Sequence, residues 1–240
     1  KNPPWSRGRG RAIIDPSSEQ KGAVRLMASA CFIIGAGPFY GLPVAPGPED
    51  VVLAADGGYR HCQTAGITPD LLLGDFDSLG SQRPDNIPTH TFPVEKDDTD
   101  TGHAIRHALD QGYRTLILVC ALGGRLDHTL ANIQDAASAA AEGANVTILD
   151  EREEITFLTG GTLRLPRRKG WGLSVFSLTD RCTGVCLRGV KYRLEDAVLT
   201  NRVPLGVSNE YAEGSDCITI STQKGALVVV ETVPDGPILS

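Results

Sequence analysis

Apolar residues are arranged in two different ways along this chain, and the change falls near Asp150. Before it, they gather in short strand-like runs: residues 28–37 (ASACFIIGAG, ending in Gly35-Ala36-Gly37), 51–55 (VVLAA), 71–77 (LLLGDFD), 115–121 (TLILVCA) and 145–149 (NVTIL). A run that is mostly apolar, without strict alternation, and is bounded by Gly, Pro or Asp reads as a strand buried on both faces. Residues 89–94 form a further candidate strand. Between the runs the period changes to that of a helix. Residues 59–65 predict a short helix. Residues 97–111 place Ala104, Ile105, Ala108 and Leu109 on one face, with Gly112 as the stop, and 126–142 predict an alanine-rich helix. Strands that alternate with helices imply an α/β fold with a parallel, Rossmann-like sheet. Such sheets bind ligands beyond the carboxyl ends of their strands.

After Asp150 the segments 153–159, 162–168, 171–178 and 183–188 are short, strand-like and separated by Gly or charged turns. Residues 217–221 and 226–231 flank Thr222-Gln223-Lys224-Gly225 and predict a hairpin. The expected organisation is an α/β domain over 27–150 followed by an all-β domain, a sandwich or partial barrel, over 151–240. Residues 1–26 are rich in Arg, Gly, Pro and Ser and lack a sustained period. Met27 is the only methionine. The expectation is a natural start at Met27, preceded by an upstream or foreign extension that is flexible. A basic tail with a binding role is the alternative.

Composition narrows the partners. The chain has 240 residues, 41% of them hydrophobic and 22% charged, with a formal net charge of -6. An acidic protein lacks the basic footprint that nucleic acid requires. A small polyanionic substrate stays open if a metal and local Lys or Arg offset the charge. No apolar run approaches the roughly 18 residues of a membrane span. Cys31, Cys62, Cys120, Cys182, Cys186 and Cys217 include no CxxC pair. Buried thiols in a reducing compartment, the cytoplasm, are the expectation.

The candidate chemistry sits where strands end. In Leu71-Leu72-Leu73-Gly74-Asp75-Phe76-Asp77-Ser78, positions two apart on a strand share a face. Asp75 and Asp77 would then point the same way, and paired carboxylate oxygens suit a hard cation such as Mg2+. A solvated acidic turn is the competing reading. Asp56-Gly57-Gly58 ends an earlier strand. Lys96-Asp97-Asp98-Thr99-Asp100 opens a helix, and capping explains one or two of its acids. Three exceed that need, so Asp100 or Asp97 is a candidate third metal carboxylate, with Lys96 facing a phosphate. Gly123-Gly124-Arg125-Leu126-Asp127-His128 joins a buried strand to a helix. Its glycines let backbone amides reach an anion, and Arg125 can grip phosphate. A glycine turn with Asp127 as N-cap and His128 packed is the simpler account. Neither a Walker ending nor GxGxxG is present. Gly206-Val207-Ser208-Asn209-Glu210 reads, from sequence alone, as a turn.

Taken in order, ADGG at 55–58, PDLLLGDFDS at 69–78, KDDTD at 96–100, GGRLDH at 123–128 with Ala131 and Asn132 beyond, GVKYRL at 189–194 and GVSNE at 206–210 resemble the thiamin pyrophosphokinase family of bacterial type. The resemblance implies an N-terminal α/β domain that binds ATP and Mg2+, and a C-terminal β domain that binds thiamine and dimerises. It implies a homodimer that transfers the pyrophosphoryl group of ATP to the thiamine hydroxyl and leaves AMP. Carried over by motif, Asp75, Asp77 and Asp100 would be the catalytic, Mg2+-holding carboxylates. Asp56, Lys96, Asp97, Thr99, Arg125 and Asp127 would line the nucleotide and phosphate site. Ser208 and Asn209 would bind thiamine. Trp171 matches no thiamine-stacking position. The rivals are a pyrophosphokinase with another acceptor, such as a hydroxymethylpterin, a metal-dependent phosphatase with Asp75 as nucleophile, and a non-catalytic nucleotide sensor.

Overall fold

The computed structural model describes residues 13–15, 29–75, 84, 86–91 and 99–233. They divide into two compact units, one within 26–151, the other made of the chain from 152 onward with the strand at 13–15. That strand, β1 (Ile13–Asp15), lies in the stretch expected to lack structure.

The first unit contains β2 (Cys31–Ile34), β3 (Val51–Ala55), β4 (Leu71–Gly74), β5 (Thr89–Thr91), β6 (Thr115–Val119) and β7 (Asn145–Leu149). Every pairing among them is parallel: β7 with β6, β6 with β2, β2 with β3, β3 with β4 and β4 with β5. The helices are α1 (Gly58–Ala65), α2 (Asp100–Asp110) and α3 (Leu126–Ala141). Phe32, Ile34, Val52, Ala54 and Leu72 occupy alternate strand positions and pack with Tyr59 and Cys62 of α1. The intervening Ile33, Leu53 and Leu73 are buried as well, which is why these strands read as unbroken apolar runs. Each fully buried Leu or Ile stabilises the unit by about 1.5–3 kcal/mol. α2 begins at Asp100 rather than 97, because Thr99 is its N-cap and accepts the Gly102 N–H at 2.9 Å. Residues 92–98 lie outside the described chain.

The second unit is antiparallel. Its further strands are β8 (Glu153–Leu158), β9 (Gly161–Pro166), β10 (Gly172–Ser177), β11 (Cys182–Arg188), β12 (Leu194–Leu199), β13 (Gly206–Glu210), β14 (Cys217–Thr222) and β15 (Leu227–Thr232). One sheet runs β1-β9-β14-β11-β12, and β13-β10-β15-β8 are neighbours in the other. Leu163, Leu165, Ile218 and Ile220 of the first pack with Leu173, Val175, Leu227 and Val229 of the second in one core.

The expected hairpin of 217–221 with 226–231 is not formed. β14 pairs with β9 and β11, whereas β15 pairs with β8 and β10. Both strands turn their apolar side chains into the same core, so their alternation is equally compatible with either sheet. β12 is exposed at three of its six positions and shows no apolar alternation, so its sequence gives no strand signal. Among the described residues, no helix is long and apolar enough to cross a membrane.

Candidate active site

A cleft of about 320 Å³ opens in the first unit. Its walls are the segment after β2 (Ala36, Gly37, Pro38), the end of β3 (Ala55, Asp56), the start of α2 (Thr99, Asp100, Thr101), the exit of β6 (Cys120, Ala121), and Gly123, Gly124, Arg125, His128 and Asn132. All but Asn132, which lies in the second turn of α3, are at carboxyl ends of parallel strands or at the helix starts that follow.

The chain reaches this geometry through close backbone approaches. Gly35 N–H donates to Val119 O and Gly37 N–H to Cys120 O, both at 2.8 Å. A Cβ on Gly37 would stand 2.5 Å from Cys120 O and 2.9 Å from Leu122 O, so only glycine fits there. The sequence pattern marked Gly35-Ala36-Gly37 as a strand end and missed its place in the cleft wall. Cys120 turns out of β6 with φ +57, and Asp56 leaves β3 with φ +43. Left-handed backbone at non-glycine residues is strained and gathers at functional sites. Asp56 N–H donates to Leu73 O at 2.7 Å, and a Cβ on Gly74 would stand 3.3 Å from both Cα and Cβ of Asp56, so the two segments approach closely. Asp75 follows directly, so the carboxylates of two neighbouring strands start from adjacent backbone.

Gly123 and Gly124 are both left-handed, with φ +76 and +65. They turn the chain into α3, whose N-cap position is held by Arg125 rather than Asp127. Asp127 sits in the first helical turn and pairs bidentately with Arg125, Nε to Oδ1 at 3.1 Å and Nη2 to Oδ2 at 2.5 Å. The hydrogen bond from Arg125 holds the exposed Asp127 carboxyl down at about 2. Asp127 therefore orients the guanidinium at the amino end of α3, where the helix dipole favours an anion. His128, read from sequence as packed, is exposed on the cleft wall. Asn132 is 6% exposed and donates its Nδ2 to Ala121 O at 2.7 Å, which ties α3 to the β6 exit.

Asp56 and Asp100 thus meet the Gly123–Arg125 turn in one cleft, and Asp75 stands at the end of the next strand. Asp77, Lys96 and Asp97 lie outside the described residues. Among the described residues, no three His, Cys, Asp or Glu side chains converge as a metal cage. The donors present, carboxylate oxygens near a phosphate-type turn, fit a hard divalent cation that keeps waters and phosphate oxygens as its other ligands.

Ser208 and Asn209 belong to the second unit, on β13. What read as a turn is an edge strand with a register shift against β10 between Leu173 and Val175. Ser208 has φ +57 and is exposed, and its N–H donates to Ser174 Oγ at 3.1 Å. Such a bulge re-aims a side chain. Asn209 points inward, 4% exposed. Its Oδ1 accepts the N–H groups of Tyr192 and Glu210, each at 3.0 Å, and its Nδ2 donates to Tyr192 O at 2.8 Å. Asn209→Ala is expected to destabilise the protein by about 2 kcal/mol, measured by urea unfolding, because buried backbone groups lose their partners.

Fold and cleft together define a mixed α/β protein in which a glycine turn and helix start share a cleft with carboxylates at the sheet's carboxyl edge. Comparison with known proteins makes this specific. The thiamin pyrophosphokinase catalytic domain matches residues 47–148, and the thiamin pyrophosphokinase vitamin B1 binding domain matches residues 162–227. Thiamine pyrophosphokinase of Bacillus subtilis is 27% identical over 209 residues, covering 83% of this chain and 97% of that protein. The crystal structure of thiamin pyrophosphokinase from Geobacillus thermodenitrificans superposes with a TM-score of 0.76 at 26% identity, covering 88% of this chain and all (100%) of that one. The Bacillus subtilis structure gives a TM-score of 0.77 at 24% identity over 85% of this chain and 99% of that one, a likeness of fold. The chain belongs to the thiamin pyrophosphokinase family.

Proposed function

We propose that the protein transfers the pyrophosphoryl group of ATP to the hydroxyl of thiamine, giving thiamine diphosphate and AMP. The observation that carries this reading is the single cleft in which Asp56 and Asp100 face Gly123, Gly124 and Arg125, in a chain matched by both domains of the family.

The thiamine hydroxyl oxygen bonds to the β-phosphorus of ATP. The bond from that phosphorus to the α–β bridging oxygen breaks, AMP leaves with the electron pair, and the hydroxyl proton passes to solvent or to a nearby aspartate. Catalysis of such transfers is mostly positioning and charge stabilisation. Arg125, held in place by Asp127, grips phosphate oxygens, and Lys96 spreads further charge. The left-handed Gly123 and Gly124 leave room for phosphate beside the first turn of α3. Asp75, Asp77 and Asp100 would hold Mg2+, which when bound screens the triphosphate and aligns it for in-line attack. Asp56, Asp97 and Thr99 complete the nucleotide side. Thr99 also donates to Asp135 at 3.3 Å, which anchors the start of α2 to α3.

In this reading residues 27–150 form a Rossmann-like ATP domain, and 151–240 form a sandwich that binds thiamine and dimerises. Ser208 contacts thiamine, while Asn209 shapes the site by holding the chain at Tyr192. Val198, Val203, Leu205 and Val207 are large exposed apolar side chains on or beside β12 and β13, which supports burial against a second copy. The six thiols of the described chain are unpaired as disulfides, in keeping with a cytoplasmic enzyme. Incubation with ATP, Mg2+ and thiamine is expected to give AMP and thiamine diphosphate in equal amounts, with a dimer by light scattering. ADP with thiamine monophosphate would refute the reaction, and an active monomer would refute the assembly.

A further inference from the structure

A second cluster of charged side chains lies inside the β unit, and the proposed reaction makes no use of it. Glu154 on β8 and Glu231 on β15 stand directly opposite each other in the antiparallel ladder. Like charges so placed repel. One guanidinium serves both: Arg168 Nη1 lies 2.8 Å from Glu154 Oε2 and 3.4 Å from Glu231 Oε2. The guanidinium thus holds Glu154 in a close ion pair and reaches Glu231 by charge across a longer distance. Arg168 also lies over the Trp171 ring, 4.8 Å from its centroid. Glu231 is 1% exposed. With both glutamates ionised, the cluster would bury one uncompensated negative charge, which is costly.

The hydroxyl of Tyr211, the residue that follows β13, decides the proton count. Its Oη lies 2.8 Å from Pro166 O and 3.0 Å from Glu231 Oε1. A phenol carries one proton, and a carbonyl oxygen only accepts. If Tyr211 donates to Pro166, its lone pairs face Oε1. If it donates to Glu231, the lone pairs of two oxygens meet at the shorter distance. One more proton, carried on Oε1, satisfies both contacts: Glu231 donates to Tyr211, and Tyr211 donates to Pro166. The same proton removes the excess charge and leaves Arg168 and Glu154 as a neutral pair.

We propose that Glu231 keeps its proton in the native protein up to near-neutral pH, and that this buried proton ties the ends of β9, β13 and β15 together through Tyr211. The titratable and charged groups facing it are Glu154 from β8, Arg168 from the segment after β9 and Tyr211 from the end of β13. Burial pushes the Glu231 carboxyl up to about 7. Arg168 opposes that shift and Glu154 adds to it, while a hydrogen bond donated by Tyr211 to the ionised carboxylate would oppose it. Ionisation leaves one proton for the two contacts, so Tyr211 keeps a hydrogen bond to either Pro166 or Glu231 but not to both. The β unit therefore carries a pH-sensitive clasp beside β13.

The sign follows from proton linkage. A carboxyl that titrates near 7 when folded, against an ordinary 4.5, binds more proton in the native state across that window. Its contribution to stability is complete below the lower value, declines as pH rises toward the upper one, and changes no further above it. Glu231→Gln mimics the neutral acid, and its amide N–H replaces the donor. Urea unfolding of the full chain would compare wild type with this variant across that range. Relative to the variant, the folding constant of wild type is expected to fall by on the order of a hundred-fold between about pH 4.5 and about pH 8. A ratio that stays constant, or a variant that loses ground as pH rises, would overturn the proposal. A ¹³C titration of the glutamate carboxyls in wild type needs no variant. It is expected to show one midpoint near neutrality. If every glutamate midpoint lies in the ordinary acidic range, the proton is not there.

Discussion

Asp100→Asn is expected to lower the formation of AMP from ATP and thiamine by on the order of a thousand-fold, with the fold intact. Asp100 is the first residue of α2, half-buried, and lines the cleft opposite Arg125. Asn keeps the shape and removes only the charge. Thr99 continues to cap the helix by accepting from Gly102. The fold loses little more than the favourable meeting of a carboxylate with the helix amino end, about 0.3–1 kcal/mol. For a chain of this size that lowers the melting temperature by only a few degrees, at roughly 2–4 °C per kcal/mol. The reaction, by contrast, loses a ligand for the cation that screens the triphosphate. Steady-state AMP release and a thermal melt on one preparation separate the two effects. Near-normal turnover with Mg2+ as the only metal would remove Asp100 from the catalytic set. Asp75→Asn is subject to the same comparison.

Gly58→Ala is expected to destabilise the protein by about 3 kcal/mol or more, lowering the melting temperature by roughly 10 °C. Helix propensity argues the other way, since Ala is better than Gly inside a helix by about 1 kcal/mol. Sterics decide. Gly58 begins α1, and a Cβ there would stand 2.0 Å from Ile34 O, 2.8 Å from Ile34 C and 3.0 Å from Gly35 O. All three are backbone atoms at the end of β2, with no flexible side chain to yield. Gly66, by contrast, has nothing within 4 Å and serves as the left-handed cap of the same helix. Displacing the β2 end also moves Gly37, so activity should fall further than the unfolded fraction explains. Urea unfolding checks the first statement. A loss below about 1 kcal/mol would show that α1 can swing away from the sheet.

Much of the first unit was legible from local pattern. The runs at 51–55 and 71–73 are strands because residues buried on both faces need no polar alternation, whereas 145–149 alternates, with Asn145 exposed and Val146 and Ile148 buried. The start of α2 was misplaced for a local reason too. Several Asp and Thr residues compete for the capping position, and Thr99 takes it. Asp127 shows a different limit. An aspartate beside a glycine turn looks like an N-cap, yet its carboxylate is drawn two residues back to Arg125. Asn209 carries bonds to the Tyr192 backbone that its neighbours in sequence do not announce. No property of Gly-Val-Ser-Asn-Glu reveals that the chain at 192 lies within reach.

The sequence by itself determined the two regimes of the chain, the order of the motifs and the family, because apolar period and turn chemistry act over a few neighbouring residues. Tertiary structure alone decided which sheet receives β14 and which β15. It also decided that 13–15 pairs with β9, that Asp56 approaches Gly74, and that Glu231 faces Glu154, Arg168 and Tyr211 at once. These outcomes depend on contacts between residues far apart in the chain. A strand's alternation says which face is buried but not which partner lies alongside it, and a glutamate's sequence neighbours say nothing of the charges that folding places around it.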